Sequence, residues 1–121
     1  ATIDGITVRR EGHGAAANGA NRTINIGLTK DGTNLAGTQK GTQNLPKDTD
    51  DTVDLGSAAD LWGTTWTADE VNASTFGVRV QKTTNTADAI RMDWVAILID
   101  YTAAGGAATN TGWVSRRGGW W

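Results

Sequence analysis

The sequence predicts an all-β protein: an antiparallel two-sheet β-sandwich of jelly-roll type, with one short helical turn and a flexible C-terminal tail. Three observations lead there. Apolar residues recur with a two-residue period, as at Ile24, Ile26 and Leu28. Turns rich in Gly, Asn and Asp separate these segments. No segment sustains the helical period, and the apolar content of 38% is low for a helical bundle. A length of 121 residues suits one modest core. Residues 1–103 read as the sandwich and 104–121 as a Gly/Ala-rich tail ending in Arg and Trp.

In "TIDGITVRRE", Ile6 and Val8 alternate with Thr7 and Arg9, a half-buried strand. Ile3 is one residue out of phase, and a bulge at Gly5 would absorb the slip. "GHGAAANGAN" reads as a loop of small residues. In the next strand Ile24, Ile26 and Leu28 face the core; Asp31-Gly32 makes the turn, and Leu35 lies on the return strand. Residues 37–52 are polar, a loop or weak edge strand. Val53 and Leu55 share one face of a short strand. "TADE" is a capping box, with Thr67 and Glu70 exchanging hydrogen bonds around one helical turn. Phe76, Val78 and Val80 then point inward.

"AIRMDWVAILIDYTA" is the most apolar segment. Strict alternation puts Met92, Trp94 and Leu98 on the core face. Val95, Ile97, Ile99 and Tyr101 then fall on the other face, which needs cover of its own. That second face is expected to meet another subunit or a segment outside this chain. The tail carries Trp113, Arg116, Arg117, Trp120 and Trp121, residue types that concentrate binding energy at interfaces. It too is expected to contact a neighbouring subunit.

Several function classes find little support. The net charge is −2 with signs interleaved, so no basic field invites nucleic acid. Cysteine is absent, which removes disulfides, thiol nucleophiles and thiolate metal sites. No apolar run is long enough to span a bilayer as a helix. The sole histidine, His13, reads as a solvated loop residue; a triad around it would have to assemble in space. No catalytic residue and no cofactor is assigned. Asp48, Asp50, Asp51 and Asp54 are calcium candidates by their hard oxygens, against the simpler reading of a charged solvated loop. Trp62 and Trp66 are assigned to the core, with a sugar-stacking platform as the alternative. Asn21 and Asn72 head formal glycosylation tripeptides of the kind that arise by chance.

"ATIDGITV", "ADLWGTTWTADEVNASTFGVRV" and "MDWVAILIDYT", in that order, resemble a β-sandwich domain of tailed-bacteriophage virion structural proteins. The resemblance covers about residues 1–103, and its central block is the specific part. It implies a non-enzymatic module of a virion: a head fibre, decoration protein or tail appendage on the capsid or tail. Its partners would be copies of itself and other virion proteins. Relatives commonly carry a further stretch before "ATIDGI". The chain, starting at Ala1 almost inside a strand, is therefore expected to be a processed product or a piece of a longer polypeptide, with a sandwich edge left for a neighbour to pair. The alternative functions are a carbohydrate-binding adhesin or tail-tip module, with host surface glycan as partner, and a subunit of an extracellular filament.

Overall fold

The computed structural model describes residues 1–15, 22–83, 89–104, 108–110 and 114–116. Among the described residues, eight strands and one helical turn follow in order: β1 Thr2–Ala15, β2 Arg22–Thr29, β3 Leu35–Leu45, β4 Asp51–Ser57, α1 Ala68–Asn72, β5 Gly77–Lys82, β6 Ala89–Thr102, β7 Ala108–Asn110 and β8 Val114–Arg116. Two antiparallel sheets pack face to face. Sheet A runs β4-β1-β6-β7, with β8 also paired to β6, and sheet B runs β3-β2-β5. The connections after β1, β3, β4 and β5 each pass from one sheet to the other. The fold is the two-sheet sandwich that the alternation predicts.

The core lies between the sheets. Ile6 and Val8 from β1 meet Ile24, Ile26 and Leu28 from β2, with Phe76 before β5, and Val78 and Val80 on it. Six of these eight are 0–1% exposed. Burying an aliphatic side chain of this size contributes about 1.5–3 kcal/mol, which is why the two-residue period dictates the faces.

Departures from simple alternation have identifiable causes. The bulge near the N-terminus lies between Ile3 and Gly5, leaving Asp4 as the extra residue. Gly5 packs so closely on Ala58 that a Cβ would stand 2.2 Å from its carbonyl carbon. "GHGA" is strand, because β1 continues to Ala15. A Cβ at Gly12 would fall 2.5 Å from the Arg91 carbonyl oxygen, so glycine there reflects a close approach and not a loop. β3 is an eleven-residue edge strand whose side chains are mostly exposed. Its fully buried side chain is Leu45, at its end. Exposure removes the apolar period that would have advertised it.

The largest correction concerns β6. Glu11 pairs with Trp94 but Gly12 pairs with Met92, so Asp93 is an extra residue in the ladder. An inserted residue reverses the alternation beyond it. Met92 is in the core as expected, but from there the odd residues point inward: Val95 and Ile97 are each 1% exposed. Ile99 and Tyr101 are half-buried and pack against the same core. These four, expected at a subunit interface, serve the chain's own sandwich. Trp94 and Leu98, expected in the core, are half-buried on the outer face. β1 is central in sheet A, flanked by β4 and β6.

Candidate functional site on the outer face of the five-stranded sheet

The tryptophan loop comes first, because its rings were the candidate sugar platform. Trp62 is 1% exposed and Trp66 is 6%. Each indole N–H is already used. Trp62 Nε1 donates to the Ile6 carbonyl at 2.8 Å, and Trp66 Nε1 donates to the Leu61 carbonyl at 3.0 Å. Trp62 adopts φ 58°, and the Asp60 carboxylate accepts from its amide at 2.8 Å, which holds this uncommon backbone in place. Lys40 lies 4.7 Å from the Trp62 ring centroid and pairs with Asp60 at 2.6 Å. Lys30 repeats the arrangement on Trp66, 4.9 Å from its centroid and 2.9 Å from Glu70. Trp66 meets Phe76 edge to face at 5.4 Å. The capping box is formed, with Glu70 N donating to Thr67 Oγ1 and Thr67 N donating to Glu70 Oε2. These tryptophans close the sandwich and offer no ring face to a sugar.

The outer face of sheet A has a different character. β4, β1 and β6 lie side by side, so their outward residues share one surface. Register puts Thr52 and Trp94 on either side of Glu11, and Asp54 and Ala96 on either side of Arg9. Arg9 and Asp54 form a two-point pair at 2.7 and 3.0 Å, which holds the Asp54 carboxyl below the ordinary carboxylate range. Trp94 Nε1 donates to Glu11 Oε2 at 3.0 Å, and Thr52 Oγ1 donates to the same oxygen at 3.2 Å.

His13 is not a loop residue. It lies on β1, half-buried, with Nδ1 2.8 Å from Asp50 Oδ1. An oxygen of the bulged Asp93 lies within 4.8 Å of one of Asp50. The bond to His13, then the Asp93 carboxyl beside it, lowers the Asp50 pKa. The same contact raises the Asp93 pKa, with desolvation and the negative charges of Asp50 and Glu11 adding to it. Among the described residues, Glu11, Asp50 and Asp93 are the group of acids whose oxygens converge, all within 4.8 Å of one another.

The calcium candidates are a different set, and the structure disperses them. Asp48 pairs with Lys47, Asp54 with Arg9, and Asp51 lies 3.6 Å from the guanidinium of Arg10. Alternation along β4 turns Asp51 toward the buried Arg10 and Asp54 to the outer face. Asp50 alone joins the convergent trio. There Asp50 Oδ1 already meets His13, and Glu11 Oε2 already accepts from Trp94 and Thr52. No triad forms on His13 and Asp50 through Thr52, because that hydroxyl is bonded to Glu11. What the arrangement does offer chemically is three converging carboxyl groups beside a half-buried indole.

The tail contributes two strands that were not expected. β7 pairs Asn110 with Asp100, and β8 pairs Arg116 with Val95. Trp113, Arg117, Trp120 and Trp121, candidates for subunit contact, lie outside the described residues, as does Asn21. Elsewhere an open groove of about 390 Å³ is lined by Thr29, Gly32, Thr33, Arg79, Val80 and Gln81, with Arg79 its one ionisable lining group.

Sequence reasoning missed Glu11 and Asp93 and left His13 without a partner. Asp50 lies thirty-seven residues from His13, a pairing no local pattern reveals. Asp93 did leave a signal: in "RMDWVAI" the polar-apolar alternation changes phase at that residue. No family model, curated protein or solved structure matches the chain.

Proposed function

We propose that this chain is a non-enzymatic structural subunit of a tailed-bacteriophage virion that assembles with copies of itself and with other virion proteins on the capsid or tail. The observation that carries the assembly reading is β6, which is apolar on both faces. Its inner face is consumed by the chain's own core through Val95 and Ile97. Its outer face keeps Trp94 and Leu98 half-buried beside charged residues of both signs. Aromatic and apolar side chains bordered by charge are the composition of a protein interface, with the indole as anchor. The reading therefore moves the subunit contact from the odd residues of β6 to Trp94 and Leu98. The placement on a virion rests on the resemblance of residues 1–103, whose "DLWGTTWTADEVNASTFGV" block here forms the tryptophan closure of the sandwich.

The carbohydrate reading loses the support of Trp62 and Trp66, whose rings are buried. The test is sedimentation of the chain over a wide concentration range. Mass that rises with concentration, and falls back in a Trp94→Asp/Leu98→Asp variant, supports subunit assembly through this face. Binding of the chain to a glycan array without self-association would favour the adhesin instead.

A further inference from the structure

The groove beside β5 carries an inference independent of the assembly reading. Arg79 and Gln81 alternate along β5 with the core residues Val78 and Val80, so they face outward from sheet B. There they meet Gly32 and Thr33 of the β2–β3 turn. Arg79 is half-buried, yet among the described residues it takes part in no hydrogen bond or ion pair. Arg9 and Arg10, by contrast, each have a carboxylate beside them. Register gives the reason: the residue directly opposite Arg79 is Gly27, which has no side chain to offer.

The turn contains an acid, Asp31, whose carboxylate is already occupied. It accepts from the amides of Asn34 and Thr33 at 2.7 and 2.9 Å, from Asn34 Nδ2 at 2.8 Å and from Thr29 Oγ1 at 3.1 Å. These bonds, that of the Asn34 amide first, hold the Asp31 carboxyl far below the ordinary carboxylate range.

The backbone adds open groups. Thr83 N donates to the Thr23 carbonyl at 3.0 Å, which makes these two a hydrogen-bonded pair. Antiparallel ladders alternate hydrogen-bonded with open pairs. Ile26 and Val80 are therefore an open pair, and the N–H and C=O of Val80 point away from β2. β5 ends sheet B, so among the described residues no strand takes them up. The Val80 side chain is in the core, so its backbone is what it offers the groove.

We propose that this groove binds a small, singly charged carboxylate that also bears hydroxyl groups, the chemistry of a uronic acid. The fork of Arg79 takes the carboxylate by two parallel N–H donors. The exposed Thr33 hydroxyl and Gln81 amide, with the Val80 backbone, serve the hydroxyl groups. A volume of about 390 Å³ lies at the small end of ligand sites and suits one sugar-sized ring. A doubly charged phosphate is matched less well, because a single guanidinium would have to balance it near ionised Asp31. A neutral sugar would leave that guanidinium without an acceptor. The groove is on sheet B and the proposed subunit contact is on sheet A, so either can fail without the other.

Proton–nitrogen spectra of the chain, titrated with sodium glucuronate at constant ionic strength, test it. The amides of Gly32, Thr33, Val80 and Gln81 should shift together and saturate at about ten millimolar. Arg79→Gln should weaken binding about tenfold or more, and Gln81→Ala, at an exposed position, about threefold. Arg91→Gln, which removes an exposed arginine of β6, should bind as the wild type does. Methyl glucuronide, standing for the end residue of a glycan, is run beside free glucuronate; saturation by either supports the site, and the tighter of the two names the source. No saturating shift at these amides with either compound, equal affinity for glucose, tighter binding of inorganic phosphate, or equal losses in Arg79→Gln and Arg91→Gln would each overturn the proposal.

Discussion

The tryptophan loop and the outer face of sheet A are built from the same residue types and end in opposite states. In the loop, each buried indole donates to a backbone carbonyl and each ring carries a lysine that is itself paired with a carboxylate. On the outer face, the indole of Trp94 donates to a carboxylate, and the carboxyl of Asp93 lies within 4.8 Å of two others. The first region is electrically and sterically closed, so it stabilises the fold. The second keeps unbalanced charge and a half-buried aromatic at the surface, which is what a partner or a proton can use. Residue type alone does not separate the two regions; the burial of the ring and the kind of acceptor its N–H meets do.

The sharpest way to break this contrast is to truncate both tryptophans. Trp62→Ala removes a fully buried ring and strands the Ile6 carbonyl, and should cost about 3–5 kcal/mol in urea unfolding. Trp94→Ala should cost only about 1 kcal/mol while weakening self-association. Equal losses of stability would erase the distinction between the two regions.

A second comparison tests the phase reversal of β6. Ile97→Ala should destabilise by about 2–5 kcal/mol, and Leu98→Ala by well under half of that. If Leu98 proved the costlier site, the Asp93 bulge would be placed wrongly. This pair also marks what the sequence made legible. The sandwich, the β2–β3 turn at Asp31-Gly32, the capping box and the core of β1, β2 and β5 all follow from local periodicity and turn chemistry. The Asx-type turn is visible in detail, with the Asp31 carboxylate accepting from the amides of Asn34 and Thr33. Periodicity failed where a single inserted residue changed its phase, at Asp93. It failed again where an exposed edge strand had no apolar face to read, at β3. The carboxyl cluster was illegible because its members come from three separate strands and turns, brought together only by the register of β1 with β4 and β6.

The smallest effect is in the acid dependence of stability, where the two regions should slope in opposite directions. Asp60 has its pKa lowered, first by its bond to Lys40. Its contribution is present above the ordinary carboxylate pKa and is lost as pH falls through the lowered value. Asp60→Asn should therefore flatten part of the decline in Tm between about pH 5 and about pH 2.5. Asp93→Asn should leave that acid limb intact and act on the alkaline side of the carboxylate range. Calorimetry of both variants across pH would show it, and parallel curves would contradict the assignment.

The central claim is that the outer face of sheet A is where this subunit meets its neighbours. Sedimentation equilibrium of the chain beside the Trp94→Asp/Leu98→Asp variant tests it most directly, with unfolding curves run to confirm that the variant is folded. The account predicts an average mass that grows with concentration for the chain and stays at one protomer for the folded variant. A chain that remains one protomer at every concentration, or a folded variant that assembles as the chain does, would contradict it.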